Sequence, residues 1–558
     1  DLKYLVYKST TDELNFVLSN KKNNKNTALN HSILSTDKGI EAVKYLIFAK
    51  KCERFALTQS NENEWSFMGA REKMTKPQFM QTAKDGNQLY AATQNNDIKL
   101  RIAYQLVRLS HYGGFNDDAV RYFNTYVEPL KNKSLLYYYA LEQKAGALYN
   151  QKKYAMAAQN YLQVFNATPD RQLAVYSSFA ISSNLYSNAE NLLKTADEKS
   201  TLYLLRGYNN FSSGVSEMKK IYSILPNSAK LELLAVREMN KTERKVLEQP
   251  YQGNNKTLFL KPDAGTTSYL QKLILFTETL LNNKTVTRKD FWKAYQAHLY
   301  FSSGKYAKAQ TIAKSIQSNE SDINNQAAIT AFAAYIAELK TIDATAETTI
   351  YQFINSNKDE ITQRYIYEIL AHKYLLQNNL AKAFLCHNDV SGLYTSLDIK
   401  IIDDLISFYN KSDKNKMEAK LADKQKDALV FLYDLKGTHF LKIDELDNAL
   451  AWFKKVPTNL SFLKLHEYDY ETNTTKEIEG KFNGYSDISA RIFSSNVRSY
   501  FEDSEEKAMT DEVYKMPEFK FIISKMNKQQ LVETLIKLKK IAEEKSEAGA
   551  RANYLLGN

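Results

Sequence analysis

A chain of 558 residues has material for several hydrophobic cores, and its 2 cysteines, Cys52 and Cys386, exclude a disulfide-framework protein while leaving the redox compartment open. Counts of 17 Gly and 8 Pro starve tight β-turns and point to long helices joined by short connections, an all-α chain. Lys and Arg exceed Asp and Glu by 75 to 64, a net charge of +11, but the excess is spread out; its densest runs, NKKNNKN at 20–26 and KSDKNK at 411–416, lack interleaved arginines or aromatics and read as solvated loops, with no nucleic-acid partner implied. No stretch reaches the ~18 uninterrupted apolar residues a membrane span needs.

In chain order, the first helical pattern places Gly39, Ala42, Leu46 and Ala49 on one face. A looser helix-turn-helix pattern runs from 106 to 129 around Gly113 and Gly114. Residues 145–169, AGALYNQKKYAMAAQNYLQVFNATP, give the clearest unit: Ala145 and Leu148, a polar turn at 150–153, then Tyr154, Ala157, Tyr161 and Val164 at spacings of 3, 4 and 3. Tyr186, Ala189, Leu193 and Ala196 repeat the second half of that pattern and predict another helix. The clearest unit has three further counterparts. One sets Ala297 and Tyr300 before Tyr306, Ala309, Ala313 and Ile316, around a turn at Gly304; one sets Ala371 and Tyr374 before Leu380, Ala383 and His387; one sets Gly437 and Phe440 before Leu446, Ala449, Phe453 and Val456. Each pairs a small residue on its first helix with a small one early on its second, so that two helix axes approach near the lower end of the ~8–10 Å range. Such a hairpin cannot bury both of its faces alone, so neighbours are expected to stack into an α-solenoid.

Those spacings resemble the tetratricopeptide repeat, a helical pair recurring at about 34 residues. The family's first-helix Trp is absent from its expected place, Trp292 standing one position early. The closing ARANYLLGN, 550–558, resembles the opening of one more repeat, with the expectation that its second helix lies beyond residue 558. The Asn-, Lys- and Tyr-rich style also resembles large repeat proteins of the Bacteroidota cell envelope, which favours the envelope over the cytoplasm. The expected organisation is an N-terminal array over 1–240, an irregular linker over 241–266, a second array over 267–456, an irregular insertion over 457–517 and C-terminal helices over 518–558.

No constellation in the sequence calls for catalysis, a cofactor or a metal. The seven histidines (His31, His111, His298, His372, His387, His439 and His466) are dispersed without a metal-ligand motif. Cys386, His372 and His387 fall on one hairpin but lack a fourth ligand, and His387 reads as a seam imidazole. Asp403 with Asp404 and Glu505 with Glu506 are ordinary solvated acidic pairs. The 38 Tyr and 27 Phe are largely core fillers; in LLYYYALEQ, 135–143, three consecutive tyrosines cannot share one face, and one is expected at solvent or in a groove for a partner. The resemblance implies a non-catalytic scaffold that binds a protein segment. The alternative is a glycan-capturing envelope lipoprotein, with Trp65 and the 457–517 insertion as its candidates.

Overall fold

The computed structural model describes residues 2–19, 29, 32–53, 55, 74–130, 133–246, 262–390, 393, 398–423, 428–457, 461–469, 472, 474–481, 516–522 and 527–557. Two compact units are present: unit one comprises 1–241 and 271–295, unit two 242–270 and 296–558. Residues 271–295, expected in the second array, therefore group with the first unit.

The helices in chain order begin with α1 (Leu2–Tyr7), α2 (Thr11–Leu18), α3 (Asp37–Glu53), α4 (Lys76–Ala92), α5 (Asn96–Tyr112), α6 (Asn116–Tyr122), α7 (Leu135–Asn150) and α8 (Tyr154–Ala167). They continue with α9 (Gln172–Ile181), α10 (Ala196–Tyr208), α11 (Gly214–Ile224), α12 (Ala229–Val246), α13 (Ala264–Asn282), α14 (Lys289–Ser302), α15 (Tyr306–Lys314), α16 (Ser321–Glu338) and α17 (Ala344–Ser356). The rest are α18 (Glu360–Leu376), α19 (Leu380–His387), α20 (Ile399–Asn410), α21 (Lys416–Ala422), α22 (Ala428–Lys442), α23 (Leu446–Phe453), α24 (Lys528–Ala542) and α25 (Glu547–Gly557). Helices adjacent in sequence pack on one another. Capping sets many of their starts: Thr10, Thr75, Thr195, Asn415 and Asn527 each accept the N3 amide while the N3 Glu or Gln side chain returns to the cap backbone.

One turn geometry closes six hairpins. The first helix ends on a left-handed residue, at Gly114, Lys152, Asn210, Gly304, Asn378 or Asp444, with φ between 56° and 80°. The next amide donates back to the carbonyl five residues earlier: Phe115 to Ser110 (2.8 Å), Lys153 to Leu148 (2.9 Å), Phe211 to Arg206 (3.1 Å), Lys305 to Tyr300 (2.9 Å), Asn379 to Tyr374 (2.9 Å) and Glu445 to Phe440 (2.9 Å). The left-handed residue's own amide donates to the carbonyl three residues earlier, which completes a Schellman motif in every case. In all but the Asn210 hairpin the second helix starts two residues past the left-handed position. The small residues proposed for the seams lie inside: Ala145, Ala157, Ala297, Ala309, Ala371, Ala383 and Ala449 are each 0% exposed, and Gly437 is buried.

Three expectations change. Residues 183–192 form two short 3-10 turns instead of a helix, because Asn188 adopts a left-handed φ of 57° that interrupts the α-helical hydrogen-bond ladder. Tyr186, Ala189 and Leu193 are nevertheless buried, so the apolar spacing reported burial and not helix. The linker is helical at both edges, α12 running to Val246 and α13 starting at Ala264, and 247–261 lie outside the described residues. Within the stretch expected to be irregular, β1 (Ser461–Asp469) and β2 (Thr474–Lys481) pair antiparallel, with Leu465 opposite Ile478 and Glu467 opposite Lys476. Polar and apolar residues alternate at 463–466, the period of a strand, and the short YETN connection permits a hairpin. The chain is thus helical apart from this hairpin among the described residues.

Past the hairpin, within the same unit, α24 packs against α23. Lys528 Nζ on α24 lies 2.7 Å from Asp434 Oδ2 and 2.9 Å from Thr438 Oγ1 on α22, with Asp434 2% exposed. Burial raises the Asp434 carboxyl above its usual range, and the Lys528 ammonium offsets only part of that.

Candidate functional site

Two clefts stand out, one in each unit. In unit one, α3 and α5 run beside α1 and enclose a cleft of about 590 Å³. Ala42, Leu46 and Ala49 of α3 and Ile98 of α5 supply its apolar floor; Arg101, Gln105 and Arg108 come from α5, Val6 and Tyr7 from α1. Arg101, Gln105 and Arg108 are spaced i, i+4, i+7, which puts them on one stripe of the helix. Asn95 caps α5, accepting from the amides of Asp97 and Ile98, and Glu41 of α3 accepts from the amides of Gln94 and Asn95 at 2.7 and 3.1 Å. These bonds fix where the α5 stripe begins against α3.

In unit two, a more open cleft of about 780 Å³ is lined by Tyr351 of α17, Tyr409 of α20, Lys414, and Lys416 and Lys420 of α21. Its walls are pinned by a buried polar network. Glu347, one turn before Tyr351, accepts from Tyr374 Oη at 2.6 Å, Lys382 Nζ at 2.7 Å and Asn415 Nδ2 at 2.5 Å. Lys382 Nζ also lies 2.7 Å from Glu418, which Lys411 Nζ approaches to 2.7 Å. Burial pushes the Glu418 carboxyl up, but the two lysines and the Asn415 amide outweigh it and hold the pKa at about 2. Burial, reinforced by Glu347, pushes the Tyr374 hydroxyl well above the usual tyrosine range, so it stays protonated and donates to Glu347.

The residues weighed from sequence fall elsewhere. Cys52 is buried, and burial drives its thiol up to about 12, the opposite of an activated nucleophile. Cys386 and His372 are buried and His387 is half-buried; among the described residues no three of His, Cys, Asp and Glu assemble into a metal-holding group. Asp403 pairs with Lys436, while Asp404 Oδ2 accepts the Ala381 amide at 2.7 Å at the start of α19, so this acidic pair divides between two structural contacts. His298 Nε2 lies 3.0 Å from Glu243 Oε1 and is 3% exposed. Burial raises the Glu243 carboxyl, and His298 with Tyr365 outweighs it, leaving Glu243 below its usual range. That carboxylate–imidazole pair ties α12 to α14 inside the helix packing. Tyr137 is buried and donates to Glu128 at 3.1 Å; Tyr138 and Tyr139 are half-buried, the latter bonded to Asp170. His31, Trp65, Glu505 and Glu506 lie outside the described residues, as does the side chain of His466 on β1.

Sequence reading missed both clefts. The α5 stripe is three polar residues at helical spacing on an amphipathic helix, and nothing local says that α3 lies opposite. Glu347, Lys382 and Glu418 stand 35 and 36 residues apart, with no pattern to link them. No family model matches this chain, and neither a curated protein nor a solved structure matches it.

Proposed function

We propose that this chain is a non-catalytic protein-interaction scaffold, a tetratricopeptide-like solenoid of stacked helical hairpins that binds a segment of another protein. The observation that carries the reading is the turn repeated in six hairpins, each with a left-handed C′ residue and the same pair of backward hydrogen bonds. A unit of structure repeated with its closure conserved in geometry is the mark of a repeat array, and such arrays create elongated grooves suited to extended or helical partners. The clefts support it further: both are lined by side chains from several helices, and the unit-one cleft combines Tyr with Arg, the residue types enriched at recognition surfaces. The buried titratable groups support the non-catalytic half, since Cys52, Tyr374 and Glu418 are each shifted away from reactivity near neutral pH.

The test is affinity capture of the tagged chain after in-cell crosslinking, with quantitative mass spectrometry. A stoichiometric partner recovered reproducibly is the expected result. Recovery of no partner, together with turnover of a small-molecule library by the purified chain, would overturn the reading.

A further inference from the structure

We infer that the cleft between α1, α3 and α5 docks an acidic segment of a partner protein, with two carboxylates about 10 Å apart on either side of an apolar side chain. The inference rests on the scaffold reading and adds the place and the chemistry. Its main support is a contrast among the arginines of unit one. Arg121, Arg171, Arg206, Arg237 and Arg288 each hold a carboxylate: Asp118 at 2.5 Å, Glu142 at 2.6 Å, Glu217 at 2.8 Å, Glu238 at 2.5 Å and Glu232, respectively. The two described arginines of the unit that form no ion pair among the described residues are Arg101 and Arg108, and both line this cleft.

Arg101 is exposed, and it is the setting of Arg108 that makes the absence of a carboxylate informative. Arg108 is half-buried, lies 5.6 Å from the ring centre of Tyr112 and borders a floor of alanines, Leu46 and Ile98. A guanidinium so placed is partly stripped of water yet forms no ion pair with a carboxylate among the described residues, so an incoming carboxylate gains a bidentate contact at a small further desolvation cost. Lys38 and Lys50 add two positive charges and Glu53 and Asp97 two negative ones, so the lining keeps an excess of two cations, the arginines themselves. The two arginines are seven residues apart on one helix, a rise of roughly 10 Å, and a polyproline-II segment, with three residues per turn at ~3.1 Å each, covers about that distance and returns to the same face after three residues. The fitting segment therefore carries acidic residues at i and i+3 with an apolar residue between them, seated over Ala42, Leu46 and Ala49.

Random dodecapeptides displayed on phage, panned against the full 558-residue chain, test this, with selected peptides measured by fluorescence polarisation. Enrichment of acidic residues three apart around an apolar one is expected, with affinity reduced at least tenfold by Arg101→Gln or Arg108→Gln and falling steeply with added salt. Since neither arginine holds an ion pair among the described residues, both variants should keep the parental Tm, which separates lost binding from lost folding. Selected peptides without acidic residues, or binding unchanged in the double variant, would overturn the inference. So would sedimentation showing self-association abolished by the same substitutions, which would make the occupant a second copy. A cellular partner captured equally well by the double variant would also overturn it and leave the scaffold reading intact.

Discussion

Lys152 stands where the other five Schellman turns carry Gly, Asn or Asp, in a left-handed conformation with φ 61°. A lysine there sets its Cβ against the following carbonyl, a crowding that glycine avoids at some cost in unfolded-chain entropy. Lys152→Gly should raise stability by roughly 0.5–1 kcal/mol, read as a higher urea midpoint at unchanged slope. The reverse case is Gly437. A Cβ added there would lie 2.6 Å from Phe453 Cε1, against a rigid ring that is itself buried. Gly437→Ala should cost about 1–3 kcal/mol and lower Tm; a neutral outcome would mean that α22 and α23 are not packed backbone to ring.

Among the elements, α17, α19 and α21 are joined by Glu347, Lys382 and Glu418 rather than by apolar packing alone. The folded pKa of Glu418 is depressed to about 2 from an ordinary 4.5, so its contribution is fully present above pH 4.5 and is lost as pH falls toward 2. Its size is on the order of 3 kcal/mol. Glu418→Gln should therefore lower stability at neutral pH and flatten the acid limb of the stability curve between pH 4.5 and 2. Parallel curves for the two proteins across that window would show that these lysines do not hold the carboxylate. The Asp434–Lys528 pair also joins α22 to α24, but burial leaves the Asp434 carboxyl above its usual range, so this pair does not add the acid-limb stability that Glu418 does, although removing either partner would leave an uncompensated buried charge.

For the whole molecule, six helical hairpins share one closing turn, and the chain divides into two compact units. Cooperative all-or-none unfolding is not expected of such a chain. Trp292, 1% exposed, reports on unit one and the half-buried Trp452 on unit two. With Trp65 replaced by Phe, single-tryptophan variants should give non-coincident urea transitions. Superimposable curves that also match circular dichroism would contradict a modular array.

The sequence by itself determined the hairpins at 145–169, 297–317, 371–387 and 437–457, because small residues at helical spacing and a polar break are local signals that survive without neighbours. It also placed Gly114 and Gly304 in turns, since a left-handed residue favours glycine whatever surrounds it. It misread 186–196, where burial recurs at helical spacing but Asn188 turns the backbone left-handed, and it passed over the alternation that makes β1. Only tertiary structure decided the α3–α5 cleft and the Glu347–Lys382–Glu418 network. Their members lie tens of residues apart, and a charge acquires or lacks a partner only once helices distant in sequence are set side by side.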